Sequence, residues 1–161
     1  MSFGRSHRAG SDARSAAVHS VRRATRVALA ATGADGSATV QSSTVKSGTY
    51  AGQLSETATT GSFAYARRSL GTARTDLRVS GDFDVLQEGA SGGNVPFIRL
   101  FDPAGTRLVS LYRQNQSGNK VQVGYGGGNF ITTGTLALNT WGQLELHVIT
   151  AGPNTSTVAG L

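Results

Sequence analysis

Asp82 and Asp84 are the residues whose spacing comes closest to that of a catalytic pair. In an extended strand, residues i and i+2 share a face two steps of ~3.3 Å apart, roughly 6.6 Å. That lies within the loose range over which two carboxyl groups divide the acid and base work of glycoside hydrolysis. The same pair supplies the chain's weak calcium candidates, because that cation takes oxygen ligands. The plainer reading is a solvated strand face, since the two acids alternate with Arg78 and Ser80. A second group, Gln143, Glu145 and His147, also shares a face. It holds one acid, which cannot be general acid and general base together. His147 is a single histidine on the polar face of its strand, and His7 and His19 lie far upstream, so no second histidine of the body joins it in a metal site or a triad.

Binding a sugar demands less: an aromatic face to stack on a pyranose ring, with amides or guanidinium groups to bond its hydroxyls. Tyr112, Arg113, Gln114, Asn115, Tyr125 and Asn129 gather near strand ends and could supply both. Against this, tyrosines are often half-buried core residues and amides are frequent turn formers. The run GYGGGN, 124 to 129, is not a phosphate loop, because no lysine follows and the flanking segments read as strands. Asn115-Gln116-Ser117 and Asn154-Thr155-Ser156 match glycosylation sequons and indicate surface loops only.

The elements that must position these groups are strands. From Gly142, Leu144, Leu146 and Val148 fall on one side and Gln143, Glu145 and His147 on the other, the period of two of a half-buried strand. Trp141, the only tryptophan, stands at its entry, where the ring can cover one end of a core. The segment DLRVSGDFDVL, 76 to 86, alternates likewise: Leu77, Val79, Phe83 and Val85 inward, Arg78, Ser80, Asp82 and Asp84 outward. Gly81 marks a bulge or a close backbone approach. VPFIRLF and RLVSLYR flank Asp102, Pro103, Ala104 and Gly105, a turn opener, a fixed φ and a glycine free to take positive φ. Both arms are apolar on two faces, as in strands inside a sheet or along an aromatic-lined groove. Further strands are expected over 38–45, 49–54, 63–70, 120–125 and 129–138, and PNTSTVAGL begins another alternation.

Short apolar packets, 22 glycines and only 15% charged residues favour strands and turns over helices. No packet approaches the ~20 apolar residues of a membrane span. With no cysteine there is no disulfide and no thiolate site. Nearly all of the net charge of +6 sits in residues 1 to 31, where Arg5, Arg8, Arg14, Arg22, Arg23 and Arg26 face only Asp12. Residues 1–36 are therefore expected to be a disordered or weakly helical basic leader. Its Arg- and Ser-rich run mimics a transit peptide, while Arg26 interrupts any secretory signal. Deleting it is expected to leave the fold unchanged. Residues 37–161 are nearly neutral, which argues against nucleic-acid binding by this part.

The succession KSGTYAGQL, FAYARR, DLRVSGDFDVL, IRLFDPAGTRLVSLY, NTWGQLELHV resembles the laminin-G-like branch of the concanavalin A-like lectin/glucanase superfamily, as found in secreted bacterial proteins. The resemblance covers about residues 36 to 161. It implies an all-β, antiparallel two-sheet jelly-roll sandwich. It further implies an extracellular or cell-surface setting, other domains of a parent protein, and a non-catalytic carbohydrate-binding or adhesive role with no cofactor. The alternatives are a fragment of a concanavalin A-like glycoside hydrolase or polysaccharide lyase, and a structural spacer. Glucanases of this superfamily carry successive acids on one strand, where this chain has Gln143, Glu145 and His147. Family members also open on an acidic and aromatic strand and continue beyond the tryptophan strand through an Asp-Gly turn. By that comparison the chain reads as a fragment with a foreign start and missing C-terminal strands.

Overall fold

The computed structural model describes residues 2–3, 15–20, 28–31, 33–126, 128–150 and 156–160; for 2–3, 15–20, 28–31, 129–133 and 156–160 it is the backbone that is described. Among them are strands and turns and no helix. The strands are β1 (Ser2–Phe3), β2 (Ser15–Ser20), β3 (Ala28–Ala31), β4 (Ser37–Gln41), β5 (Ala51–Glu56), β6 (Ala64–Arg67), β7 (Asp76–Gln87), β8 (Asn94–Phe101), β9 (Arg107–Gln114), β10 (Lys120–Tyr125), β11 (Gly128–Thr135), β12 (Gly142–Thr150) and β13 (Ser156–Gly160). They form a seven-stranded sheet, β11-β10-β9-β8-β1-β6-β3, and a six-stranded sheet, β13-β12-β7-β2-β5-β4. Every strand pairing is antiparallel.

The sheets pack face to face as a β-sandwich. Phe83 of β7 and Phe97 of β8 meet across the interface with ring centroids 5.0 Å apart and planes tilted by 49°. Around them, Val85, Ile98, Leu111, Val121, Val123 and Leu146 are almost wholly buried. Each such side chain contributes roughly 1.5–3 kcal/mol relative to leaving it in water. The alternation expected on β12 is observed, with Leu144, Leu146 and Val148 buried. Trp141 is half-buried just before it. Gly81 makes no bulge and pairs in register with Leu144. A register shift falls instead between Pro96 and Ile98, where proline has no N–H to give to the ladder.

The turns follow the sequence closely. Between β8 and β9, Gly105 takes φ 88°, its N–H donates to the Asp102 carbonyl at 3.1 Å, and the Thr106 N–H donates to Asp102 Oδ1 at 2.7 Å. Between β9 and β10, Gln116, Gly118 and Asn119 all have positive φ.

Residues 1–36 depart from expectation. In place of a disordered or weakly helical leader, β1 joins β8 to β6, β3 pairs with β6, and β2 lies between β5 and β7. The segment Ala16–Val18 is small and β-branched, so it passes between two strands and satisfies the backbone groups of both. The rest of the expected leader lies outside the described residues.

Asp35 fastens the turn before β4 to the one after β5. Its carboxylate accepts hydrogen bonds from Thr57 Oγ1 at 2.6 Å and from Thr59 Oγ1 at 2.9 Å. These bonds, Thr57's first, hold its pKa below the ordinary carboxylate value. A depressed folded pKa means that the contribution is present above the unfolded pKa and is lost as pH falls through the folded one. Asp35→Asn is expected to raise amide exchange over 57–62 at neutral pH, with the difference from wild type vanishing on acidification. A pH-independent difference would show that the carboxylate charge is not what holds the turns.

Candidate functional site

Strands β9 and β10 carry most of the expected sugar-binding group and divide it between the two faces of their sheet. Tyr112 pairs with Pro96 on one side and Gln122 on the other, and all three point away from the core. The Tyr112 hydroxyl donates to Gln122 Oε1 at 2.8 Å, and Gln122 Nε2 donates to Gln114 Oε1 at 3.2 Å. Burial pushes the Tyr112 phenol up in pKa, against a smaller opposite effect of Arg107. With only 8% of Tyr112 exposed, its ring has no free face for a pyranose. It serves as a post that orients Gln122 and, through it, the half-buried Gln114.

Arg113 points the other way and is wholly buried. Its guanidinium donates to Glu88 at 2.5 Å, to the Leu136 carbonyl at 2.7 Å and to Asn119 Oδ1. Asn115 is also buried, with its N–H on the Gly93 carbonyl at 2.9 Å. These two lock one end of the sandwich and do not face a ligand. Tyr125 pairs with Val109, so it lies across the sheet from Tyr112 and three residues along β9, about 10 Å. It is 37% exposed. Asn129 pairs with Gly124 in β11, and its side chain lies outside the described residues. Of the expected group, Gln114 is the member seen on the outward face with a partly open side chain.

The structure brings other residues to that face. Arg67 pairs with Ser2, Ser2 with Arg99, Arg99 with Ser110, Ser110 with Gly124 and Gly124 with Asn129, one row across six strands. Arg99 Nε donates to Ser110 Oγ at 3.4 Å. Tyr65, two residues before Arg67, is half-buried on the same side of β6. The sequence signal for Arg99 was its interruption of the apolar run FIRLF. Its alignment with Arg67 depends on β1 lying between β6 and β8, which no local pattern reveals.

The acids sit on the other sheet. Lys46 Nζ lies 2.7 Å from Asp82 Oδ1, Arg78 2.9 Å from Glu145 and His147 Nε2 2.8 Å from Asp76. Gln143 is exposed. Asp84 departs from the expected solvated face: it is 3% exposed, and its Oδ1 has no hydrogen-bond partner. The cause is the turn between β11 and β12, which folds against β7 with the Asn139 N–H on the Val85 carbonyl at 2.9 Å. Burial raises the Asp84 pKa, against the opposing backbone amides of Thr140 and Val85. With Lys46 on Asp82, the pair does not converge on an open groove. No group of three acids, histidines or cysteines suited to a metal occurs among the described residues.

A raised folded pKa means that protonation stabilises the folded state. That contribution is present below the unfolded pKa and is lost as pH rises through the folded one. Asp84→Asn, which removes the buried charge, is therefore expected to raise Tm at neutral pH, by about 2–4 °C for each kcal/mol regained. The gain should close on acidification. A lower Tm at neutral pH would mean that the charged carboxylate has a stabilising partner.

No helix among the described residues is long and apolar enough to cross a membrane. Comparison with protein-family models, with curated proteins and with solved structures finds no match, so the functional reading rests on this chain's own residues.

Proposed function

We propose that this chain is a non-catalytic carbohydrate-binding or adhesive module of jelly-roll type, part of an extracellular protein. The observation that supports this reading is Gln114, partly open on the outward face of a sheet and held from beneath by the buried pair Gln122 and Tyr112, with half-buried Arg99 on the same face. Gln114 and Arg99 offer an amide and a guanidinium, groups that bond sugar hydroxyls, already held by neighbours and so with little rotamer freedom left to lose. Glycan or another extracellular polymer is the partner this face suits. The hydrolase alternative has less support, because Asp82 is paired with Lys46 and Asp84 lies beneath a turn.

The test is a glycan array on the full chain, followed by titration of the best ligand against wild type and Gln114→Ala. Losing a directly bonded amide is expected to weaken binding by roughly 0.5–1.5 kcal/mol, up to about tenfold, with Tm unchanged. Absence of signal on every glycan would refute the proposal, as would full affinity in Gln114→Ala.

A further inference from the structure

The two sheets divide the charges of the body between them. The strands of the seven-stranded sheet contain Arg67, Arg99, Arg107, Arg113 and Lys120, and neither Asp nor Glu. Those of the six-stranded sheet contain Glu56, Asp76, Asp82, Asp84 and Glu145, with Arg78 as their one cation besides histidines. The near-neutrality of residues 37–161 thus conceals a polarity across the sandwich.

On the basic sheet Arg113 is turned inward, but Arg67 and Arg99 share the outward face. They flank Ser2 and stand two strand spacings apart, about 9.6 Å between Cα atoms. Lys120 alternates with Gln122 and so joins the same face, beside Gln114. Arg67 and Lys120 are exposed, and neither takes part in an ion pair among the described residues. Asp82, Glu145 and Asp76 of the opposite sheet, by contrast, have local partners in Lys46, Arg78 and His147.

We infer that the outward face of the seven-stranded sheet binds an acidic polysaccharide, one bearing carboxylate or sulfate groups on its sugar rings. This rests on the carbohydrate-binding reading and adds the charge of the ligand. Arginine forks bond carboxylate and sulfate oxygens in pairs. Gln114, partly open beside Lys120, supplies an amide for the hydroxyls of the intervening sugars. Cations spread this far apart fit a polymer with an anion every ring or two better than a nucleic acid, whose recognition draws on a denser basic surface.

The experiment is titration of the full chain with polygalacturonate, chondroitin sulfate, a neutral galactan and single-stranded DNA, at low and high salt. The variants are Arg67→Ala/Arg99→Ala, with Arg78→Ala as the control from the opposite sheet. Binding to either acidic polymer is expected, weakened by salt, reduced about tenfold or more in the double variant and unchanged in Arg78→Ala. Should Arg99→Ala lower the melting temperature, Arg67→Ala and Lys120→Ala, both at exposed positions, are to show the same loss singly. If the galactan binds as well as the acidic polymers, the inference falls and the glycan reading survives. If no polysaccharide binds, both fall. Equal or tighter binding of DNA, or an equal loss in Arg78→Ala, also overturns the inference.

Discussion

Arg113→Met is expected to destabilise the protein by about 3–5 kcal/mol, the range for removing one partner of a buried ion pair. The Arg113 side chain is 0% exposed and that of Glu88 17%. One guanidinium joins three segments: Glu88 after β7, Asn115 and Asn119 of the β9–β10 turn, and the Leu136 carbonyl after β11. Glu88 is further tied to the Gln116 N–H at 3.3 Å, and Asn119 accepts the Leu136 N–H at 2.9 Å. Without the cation, the Glu88 carboxylate and the Leu136 carbonyl lose a charged donor in a place water reaches poorly. Replacing both members, Arg113→Met with Glu88→Gln, should recover part of the loss, because the stranded charge goes too. Urea unfolding of the three proteins decides this. A single-variant loss below about 1 kcal/mol would class the pair with exposed ones.

Deleting residues 1–36 is expected to abolish cooperative melting. Strand β2 pairs from Ala16 to His19 with both β5 and β7. Its removal detaches the β4–β5 hairpin from the rest of its sheet and opens two edges to other chains. Backbone hydrogen bonds worth about 0.5–1.5 kcal/mol each, on both sides of a six-residue strand, amount to a large part of a typical stability of about 5–15 kcal/mol. Circular dichroism melts of 37–161 against the full chain give the answer. A melt of unchanged midpoint would return residues 1–36 to the role of a dispensable leader and leave β5 and β7 to be satisfied by other means.

Asp84 and Tyr112 show how far the site was legible. Alternation placed Asp84 correctly on the face opposite Phe83, and Tyr112 on the face opposite Leu111. Whether an outward position meets water is a separate matter, decided by what folds over it. For Asp84 that is the turn between β11 and β12, more than fifty residues downstream. Tyr112 is held by Gln122 on the neighbouring strand. Arg113 was misjudged for the opposite reason: its parity with Leu111 already marked it as inward, but an arginine is ordinarily read as exposed until an acid is found for it. Glu88, twenty-five residues away, became its partner only through the sandwich.

The sequence by itself determined the all-β character, nearly every strand after residue 36 and the turns at Asp102–Gly105 and Gln116–Asn119, because period-two hydrophobicity and turn chemistry act within a few residues. Tertiary structure alone decided which strands became neighbours. That choice drew β1–β3 into the sheets, aligned Arg67 with Arg99, buried Asp84 and separated the basic sheet from the acidic one. Each depends on contacts between segments tens of residues apart, where backbone pairing and core burial outweigh local preference.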